Sequence, residues 1–281
     1  MNRRLFLKYL SSFCLFKGVQ AIGVDRVFGS VSRLPAADKD DAPQPSLALS
    51  KKSLVADSDG NIVLDPRAAK QFHAILKRLF RLQRTVGYGH FCLLNFDEMR
   101  HIASSYASIG EFPQIEIAYL EELFYRDAAL YGFKGAKTLH HITDTVDKQL
   151  AVKIPASGNY LYRGISLQTY RSLSQDVGNE LILTAGIRGI VKQFYLFLSK
   201  ALRHNGNLSL ASRSIAPPGY SFHGTGDFDV GKAGFGIANF SERFTRTDTY
   251  AKLKSLDYVK FRYPPDNSTG VVFEPWHIQV V

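Results

Sequence analysis

The sequence predicts an α+β fold, because helical and strand patterns follow one another in irregular order instead of alternating strictly. Helical periodicity dominates residues 58–150, whereas short β-rich runs mix with helices from about residue 150 onward. The chain has 281 residues, of which 45% are hydrophobic and only 2 are cysteine, so it can bury a sizeable core. This composition excludes a collagen-like, low-complexity or disulfide-framework protein.

The formal net charge of +10 is typical of a nucleic-acid or membrane-surface binder, but half of it is concentrated at the N-terminus. Residues 1–34 contain six Lys or Arg and one Asp, a net charge of +5, which leaves +5 for the other 247 residues. That remainder is ordinary for a globular domain, so no nucleic-acid partner is expected.

The first 30 residues have the pattern of an export signal. Paired arginines at residues 3–4 precede a short apolar run at residues 9–16, which resembles a twin-arginine signal. We therefore expect export to the periplasm, with removal of residues 1–30. No later run approaches the roughly 20 apolar residues that span a bilayer, so no stable membrane anchor is expected. Residues 31–57, which are rich in Pro, Asp and Ser, are predicted to be a linker.

Apolar periodicity predicts the main helices and strands of the mature chain. The first predicted helix carries one apolar stripe, formed by Phe72, Ile75, Leu76, Leu79 and Phe80. Three further helices are predicted, at residues 113–132, 190–202 and 248–256. Four strands are predicted, at residues 180–184, 228–230, 258–263 and 271–281.

Two short segments carry the residue types of a hydrolytic metal site. Residues 220–230 contain His223 and two aspartates, and residues 274–277 contain His277 with Glu274 three residues before it. Catalytic zinc takes three protein ligands and keeps one position open for water, and two imidazoles with one carboxylate meet that need. The spare glutamate can accept the proton of the activated water.

Either of two aspartates could supply the carboxylate ligand. Asp227 and Asp229 lie two residues apart, so an extended strand would point both side chains to the same face. Strand alternation therefore does not choose between them.

The two segments resemble the Ser-x-His…Asp and Glu-x-Trp-His signatures of the VanY-like D-alanyl-D-alanine carboxypeptidases, peptidase family M15. Residues 185–193, Ala-Gly-Ile-Arg-Gly-Ile-Val-Lys-Gln, resemble that family's Ser-Gly-Tyr-Arg-Ser-Tyr-x-x-Gln motif. All three occur in the family's order over about residues 150–281. The resemblance implies a small α+β zinc-peptidase domain with a central antiparallel sheet at residues 151–281, preceded by the helical region at residues 58–150.

The same resemblance implies a role for individual residues. His223, Asp229 and His277 would bind one zinc ion, the expected cofactor, and Glu274 would be the base for zinc-activated water. Asp229 is preferred to Asp227 because Asp-Val-Gly better matches the family's aspartate followed by an apolar residue.

Three further residues are expected to act on the substrate. Arg188 would hold a substrate carboxylate or stabilise the developing oxyanion, as a fixed guanidinium can. Gln193 and Ser221 occupy motif positions and are expected to help bind or orient the substrate.

The chain departs from the family pattern in two places. Asp229 lies six residues after His223, where the family usually has seven. In the arginine motif, four family residues with hydroxyl groups are replaced, by Ala185, Ile187, Gly189 and Ile190.

The implied function is hydrolysis of peptidoglycan stem peptides by a monomeric D-alanyl-D-alanine (D,D-) carboxypeptidase. An L,D-carboxypeptidase, an endopeptidase of the same fold and a non-catalytic cell-wall-binding module remain open as alternatives. The pair His140-His141, with Asp144 nearby, is interpreted as surface polarity and not as a second metal site.

Overall fold

The computed structural model describes residues 54–280, so the predicted signal at residues 1–30 lies outside the described residues. The described part begins with a small hairpin of strands β1 (Leu54–Ala56) and β2 (Ile62–Leu64). The last residues of the predicted linker therefore belong to a strand. A search of the described helices for a segment of the length and apolarity needed to span a membrane finds none.

A layer of four helices follows the hairpin: α1 (Pro66–Val86), α2 (Tyr88–Phe91), α3 (Phe96–Ser105) and α4 (Gln114–Tyr125). Helix α1 begins where the sequence favours it, because Asp65 accepts hydrogen bonds from the backbone N–H groups of the first turn and Pro66 opens the helix. Phe72, Ile75 and Leu79 of its apolar stripe are buried, whereas Phe80 is exposed, and the first predicted helix is confirmed.

The second predicted helix ends earlier than residue 132. Helix α4 stops at Tyr125, where Arg126 takes an extended conformation. The side chain of Asp127 then caps a separate 3-10 turn, Ala128–Tyr131, which ends at Gly132 in a left-handed conformation (φ 82°). The apolar periodicity runs through both pieces, so it concealed the break between them.

The C-terminal half surrounds a small sheet. Its elements are β3 (Ala151–Lys153), β4 (Tyr160–Tyr162), α5 (Ile165–Val177), β5 (Leu181–Ala185), α6 (Ile190–Arg203), α7 (Leu208–Ser212), β6 (Phe228–Lys232), α8 (Asp248–Ser255) and β7 (His277–Ile278). Strands β5, β6 and β7 form a three-stranded antiparallel sheet with β6 in the centre. The predicted α+β class and the central antiparallel sheet are confirmed.

Two predicted strands near the C-terminus are mostly wrong. Of residues 258–263 and 271–281, only His277–Ile278 forms a strand within the described residues, and Phe261 adds a single bridge to Ile278. The intervening loop is held by its own side chains, since the Asn267 amide donates to the carbonyls of Pro264 (2.8 Å) and Val271 (2.9 Å). Residues 260–262 still lie beside the end of the chain, because Arg262 donates its N–H to the carbonyl of His277 at 3.1 Å and Gln279 donates to the carbonyl of Lys260 at 2.8 Å.

The helical region and the sheet-containing half share one core. Helix α6 packs against α1, and its Phe194 ring lies 6.4 Å from the ring of Phe96 in α3. A second core fills the space between α5 and the sheet and includes Leu173, Phe228 and Val230. The predicted division between residues 150 and 151 therefore crosses a packed core, although the two halves differ in secondary structure.

This shared core predicts that residues 151–281 will not fold without the helical region. The fragment would expose the face of α6 that carries Phe194, Phe197 and Leu198, all of them fully buried in the whole chain. We expect the fragment to aggregate or to lack cooperative thermal unfolding, measured by circular dichroism with the whole chain as the control. A soluble fragment with a dispersed amide NMR spectrum would contradict this prediction.

Candidate metal centre

The sheet brings the three chemistry-bearing segments together. Asp229 lies on the central strand β6, with Ala185 of β5 opposite it on one side and His277 of β7 opposite it on the other. His223 lies on a 3-10 turn, Phe222–Gly224, just before β6. Residues that are up to about 90 positions apart in the chain therefore meet around one strand.

Three buried donor atoms converge at this point. His223 Nε2 lies 3.2 Å, and His277 Nδ1 lies 3.4 Å, from Oδ1 of Asp229. One ligand atom from each residue falls within 4.8 Å of the others. His223 Nε2 and Asp229 Oδ1 are fully buried and have no hydrogen-bond partner among the described residues, which is costly unless another group binds there.

The donor set fits a zinc ion. Two imidazole nitrogens and a carboxylate oxygen are three ligands that zinc accepts, and they leave a fourth position free. A metal ion would also satisfy both of the orphaned buried atoms.

The side chains of His223 and Asp229 are each fixed by a contact on the side away from the donor cluster. Nδ1 of His223 lies 2.9 Å from the carbonyl oxygen of Gly186, and Arg188 Nη2 donates to Oδ2 of Asp229 at 2.5 Å. Gly186 is required at its position, because a Cβ there would collide with the carbonyl oxygen of Tyr160. Such outer contacts orient metal ligands and fix which atom faces the ion.

The geometry favours Asp229 over Asp227 as the carboxylate ligand. Both side chains reach His277, as the strand alternation indicates, but they reach opposite sides of its ring. Asp227 Oδ2 lies 3.1 Å from Nε2 of His277, away from the donor cluster, and accepts a hydrogen bond from Arg262.

The expected base, Glu274, lies next to the donor cluster. Its Oε2 is 3.3 Å from Nδ1 of His277, and the side chain is buried. Burial raises the pKa of Glu274 above its usual range, because the charged form loses solvation. A buried carboxyl with a raised pKa is suited to taking up a proton.

The protonation of the two histidines differs strongly. Burial lowers the pKa of His223 to about 4, and the Arg188 charge acts in the same direction. Burial also acts to lower the pKa of His277, but hydrogen bonds to Asp227 and Glu274 outweigh it and raise that pKa to about 9.

Both aspartates stay ionised. Burial acts to raise the pKa of Asp229, but the neighbouring His223 and Arg188 outweigh it and hold the pKa well below its usual range. Burial likewise acts against ionisation of Asp227, whose pKa is lowered to about 2 by hydrogen bonds from His277 and Arg262. The ligand carboxylate therefore needs to lose no proton when a cation binds near neutral pH.

Ser221 and Gln193, the two residues expected to help bind or orient the substrate, lie in different surroundings. Ser221 lines the small cavity beside the donor cluster. Gln193 does not line that cavity: its amide donates to the carbonyl of Arg188 (2.8 Å) and accepts from the N–H of Gly219 (2.9 Å). Both ends of its buried amide are therefore occupied, one by the Arg188 carbonyl and the other by the Gly219 N–H, and the role of Gln193 in binding or orienting the substrate stays a prediction.

The cavity itself measures about 20 Å³, and part of its wall comes from residues outside the three motifs. Besides Arg188, Glu274 and the histidines, its walls include Ser214, Ile215 and Tyr263. The Tyr263 ring packs edge-on against His277, with centroids 5.0 Å apart. This space suffices for about one water-sized occupant.

The second histidine cluster is a surface feature, as predicted. His140 and His141 are exposed, and Asp144 accepts hydrogen bonds from their backbone N–H groups at 2.8 Å and 3.0 Å. Within residues 54–280, the only group of three or more potential ligands is the one formed by His223, Asp229 and His277.

One family model matches the C-terminal part of the chain. Residues 165–281 match the family model described as VanY, D-alanyl-D-alanine carboxypeptidase. A search of curated proteins finds no match.

Several solved structures resemble less than half of the chain. A vancomycin-resistance D,D-pentapeptidase VanY from a VanB-type cassette, in complex with Zn(II), is 26% identical over 47% of this chain and 78% of its own, with a TM-score of 0.38. The LD-carboxypeptidase LdcB is 23% identical over 46% of this chain and 63% of its own, with a TM-score of 0.39. The D,D-dipeptidase VanXYg, bound to a D-Ala-D-Ala phosphinate analogue, is 23% identical over 43% of this chain and 51% of its own, with a TM-score of 0.38.

The pKa values predict that zinc binding releases a proton. With a pKa of about 9, His277 is protonated near neutral pH and must lose a proton before Nδ1 can bind an ion, whereas His223 is already neutral. Zinc affinity should therefore rise with pH up to about pH 9, with about one proton released per ion near neutral pH. Calorimetric titration in buffers of different ionisation enthalpy measures this proton. Release of no proton would contradict the raised pKa of His277 and show that its ring is already neutral.

Proposed function

We propose, from the match of residues 165–281 to the VanY family model, that this protein is a zinc-dependent peptidase hydrolysing peptidoglycan stem peptides. The proposed reaction is that of a D,D-carboxypeptidase. The observation that carries the proposal is the convergence of His223, Asp229 and His277, with Glu274 beside them, in the part of the chain that matches the family.

His223 Nε2, Asp229 Oδ1 and His277 Nδ1 would hold the zinc ion. When bound, zinc supplies Lewis acidity, which polarises a carbonyl and lowers the pKa of a coordinated water. The protein contributes the fixed positions of these atoms, since Gly186, Arg188 and Asp227 hold them from behind.

Glu274 is placed to move the proton of the reaction. Its Oε2 takes a proton from the attacking water as the new carbon–oxygen bond forms. The same oxygen returns that proton to the leaving amine nitrogen as the peptide carbon–nitrogen bond breaks. Its position 3.3 Å from Nδ1 of His277 puts the proton acceptor at the edge of the donor cluster.

Arg188 supplies fixed positive charge at the same cavity. One of its nitrogens, Nη2, is bonded to Asp229, and the side chain remains partly exposed. The other N–H groups are free of hydrogen bonds within the described residues, so they can stabilise a developing oxyanion or hold a substrate carboxylate. The Ser221 hydroxyl is a second polar group at the wall.

The alternatives differ in what they require. A non-catalytic cell-wall module needs no proton acceptor, and the buried Glu274 beside the donor cluster supports a catalyst instead. D,D specificity is supported by the description of the matched family. Export to the periplasm by the twin-arginine route, through residues 1–30, and a monomeric state belong to the same proposal.

Replacement of the base separates catalysis from metal binding. We expect Glu274→Ala to keep zinc and to lose about 10²- to 10⁴-fold in the rate of peptide cleavage, because the proton acceptor is removed while the ligands remain. Digests of defined muropeptides, analysed by mass spectrometry, measure the rate and show which bond is cut.

The matched control is Glu242→Ala, which removes an exposed glutamate on a 3-10 turn. It should cleave at the rate of the unmodified protein. Wild-type turnover by Glu274→Ala would contradict the proposed mechanism, and cleavage of an L,D or internal bond would replace the D,D assignment.

Removal of the last six residues tests whether His277 is a zinc ligand. His277 lies four residues before the end of the chain, so a protein ending at residue 275 lacks one ligand. We expect loss of stoichiometric zinc, measured by atomic emission on the dialysed protein, together with loss of cleavage. A truncated protein that keeps zinc and activity would contradict the role of His277.

A further inference from the structure

Asp227 is a buried carboxylate that the proposed reaction does not use. It is 1% exposed, and it lies two residues before Asp229, immediately before strand β6. The side chain of the intervening Phe228 points away from both, into the core beneath the sheet. Asp227 and Asp229 therefore approach the His277 ring from its two sides.

The two ring nitrogens of His277 face different environments. Nδ1 faces the donor cluster, at 3.4 Å from Asp229 Oδ1 and 3.3 Å from Glu274 Oε2. Nε2 faces Asp227, with 3.1 Å to Oδ2. In a neutral imidazole one nitrogen carries the proton and the other is an acceptor, and a carboxylate can only accept. When an ion takes the place of the proton on Nδ1, Asp227 therefore keeps the remaining proton on Nε2.

Arg262 fixes Asp227 in this position. Its Nε donates to Oδ2 at 2.7 Å and its Nη2 donates to Oδ1 at 3.0 Å, which is the two-point contact typical of arginine and carboxylate. The guanidinium in turn lies over the Phe222 ring, 3.9 Å from its centroid. The backbone N–H of Val280 gives Oδ1 another hydrogen bond at 2.9 Å.

We infer that Asp227 and Arg262 form a positioning pair, which orients His277 so that Nδ1, and not Nε2, is offered to the metal. This inference rests on the proposed zinc site and adds two residues to it. His223 presents the opposite nitrogen, Nε2, because the Gly186 carbonyl oxygen lies at its Nδ1. The two histidines thus receive their orientation from different partners, a neutral carbonyl in one case and a carboxylate in the other.

Arg262 and Asp227 also make hydrogen bonds to the backbone near the end of the described chain. Arg262 donates its backbone N–H to the carbonyl of His277 at 3.1 Å, in addition to its side-chain contacts with Asp227. Val280 lies three residues beyond His277 and is bonded to the same carboxylate. Asp227 therefore holds the histidine ring and the backbone that follows it.

The first test needs no variant. In zinc-loaded protein labelled with ¹⁵N-histidine, NMR correlation of ring nitrogens with ring protons should show His277 protonated at Nε2 and bound to the ion through Nδ1. Coordination through Nε2 would overturn the inference and leave the zinc site standing. Absence of a bound ion would overturn both, by refuting the proposed zinc site.

The second test measures metal affinity. We expect Asp227→Asn to weaken zinc binding about 10- to 100-fold in competition with a chelator, because an outer-shell carboxylate is lost while all three ligands remain. Arg262→Gln leaves the contact between Asp227 and His277 and should weaken binding less. Arg262→Gln also provides the affinity measurement if Asp227→Asn does not fold.

The matched control is another buried carboxylate–arginine pair. Glu116 accepts from Nε of Arg78 at 2.9 Å, between α4 and α1, and is 3% exposed. Glu116→Gln should lower the melting temperature without changing zinc affinity. If Asp227→Asn and Arg262→Gln behave like this control, with unchanged affinity and an unchanged NMR pattern, the pair is merely structural and the inference is wrong.

Discussion

The pairing of Asp229 with His277 across strands β6 and β7 is the constraint on which the site depends. Strand β7 is only two residues long, so its own ladder gives it little stability. Neighbouring contacts supply the rest: Val230 donates its N–H to the carbonyl of Trp276 at 3.0 Å, and Asp227 accepts from Val280 at 2.9 Å. A short strand held in this way places a histidine beside a carboxylate within a buried core, where water cannot compete for either.

The helical region contributes to the site through the segment that carries Arg188. The N–H of Gly189 donates to the carbonyl of Cys92 at 2.7 Å, and a Cβ at Gly189 would lie 2.8 Å from the carbonyl oxygen of Leu94. The backbone next to Arg188 is therefore packed against the connection between α2 and α3. Together with the core shared by α1 and α6, this contact makes the helical region part of the scaffold of the proposed peptidase.

Local sequence patterns predict the helices and strands of this molecule that have a clear apolar periodicity. The stripe of α1, the amphipathic α6 and the strands β5 and β6 all appear close to their predicted positions. Hairpins with strands of three residues, such as β3 with β4, are too short for periodicity to reveal. Helix α3 is marked in the sequence by the capping box of Asn95 and Glu98, a signal that apolar periodicity alone does not include.

The proposed site also has features that the sequence predicts and features that only the folded chain reveals. The resemblance to the family predicts that His223, Asp229, His277 and Glu274 lie together and prefers Asp229 to Asp227, and the folded chain adds the contacts that occupy Asp227. Those contacts join residues 227, 262 and 277, which no local spacing encodes.

The most direct test of this account is the position of the metal in a crystal of the purified protein, located by anomalous diffraction at the zinc absorption edge. The account predicts one ion bound by His223 Nε2, Asp229 Oδ1 and His277 Nδ1, at about 2.0–2.2 Å from each atom. An ion bound through Asp227, or no ion at these three residues in protein loaded with zinc, would contradict it.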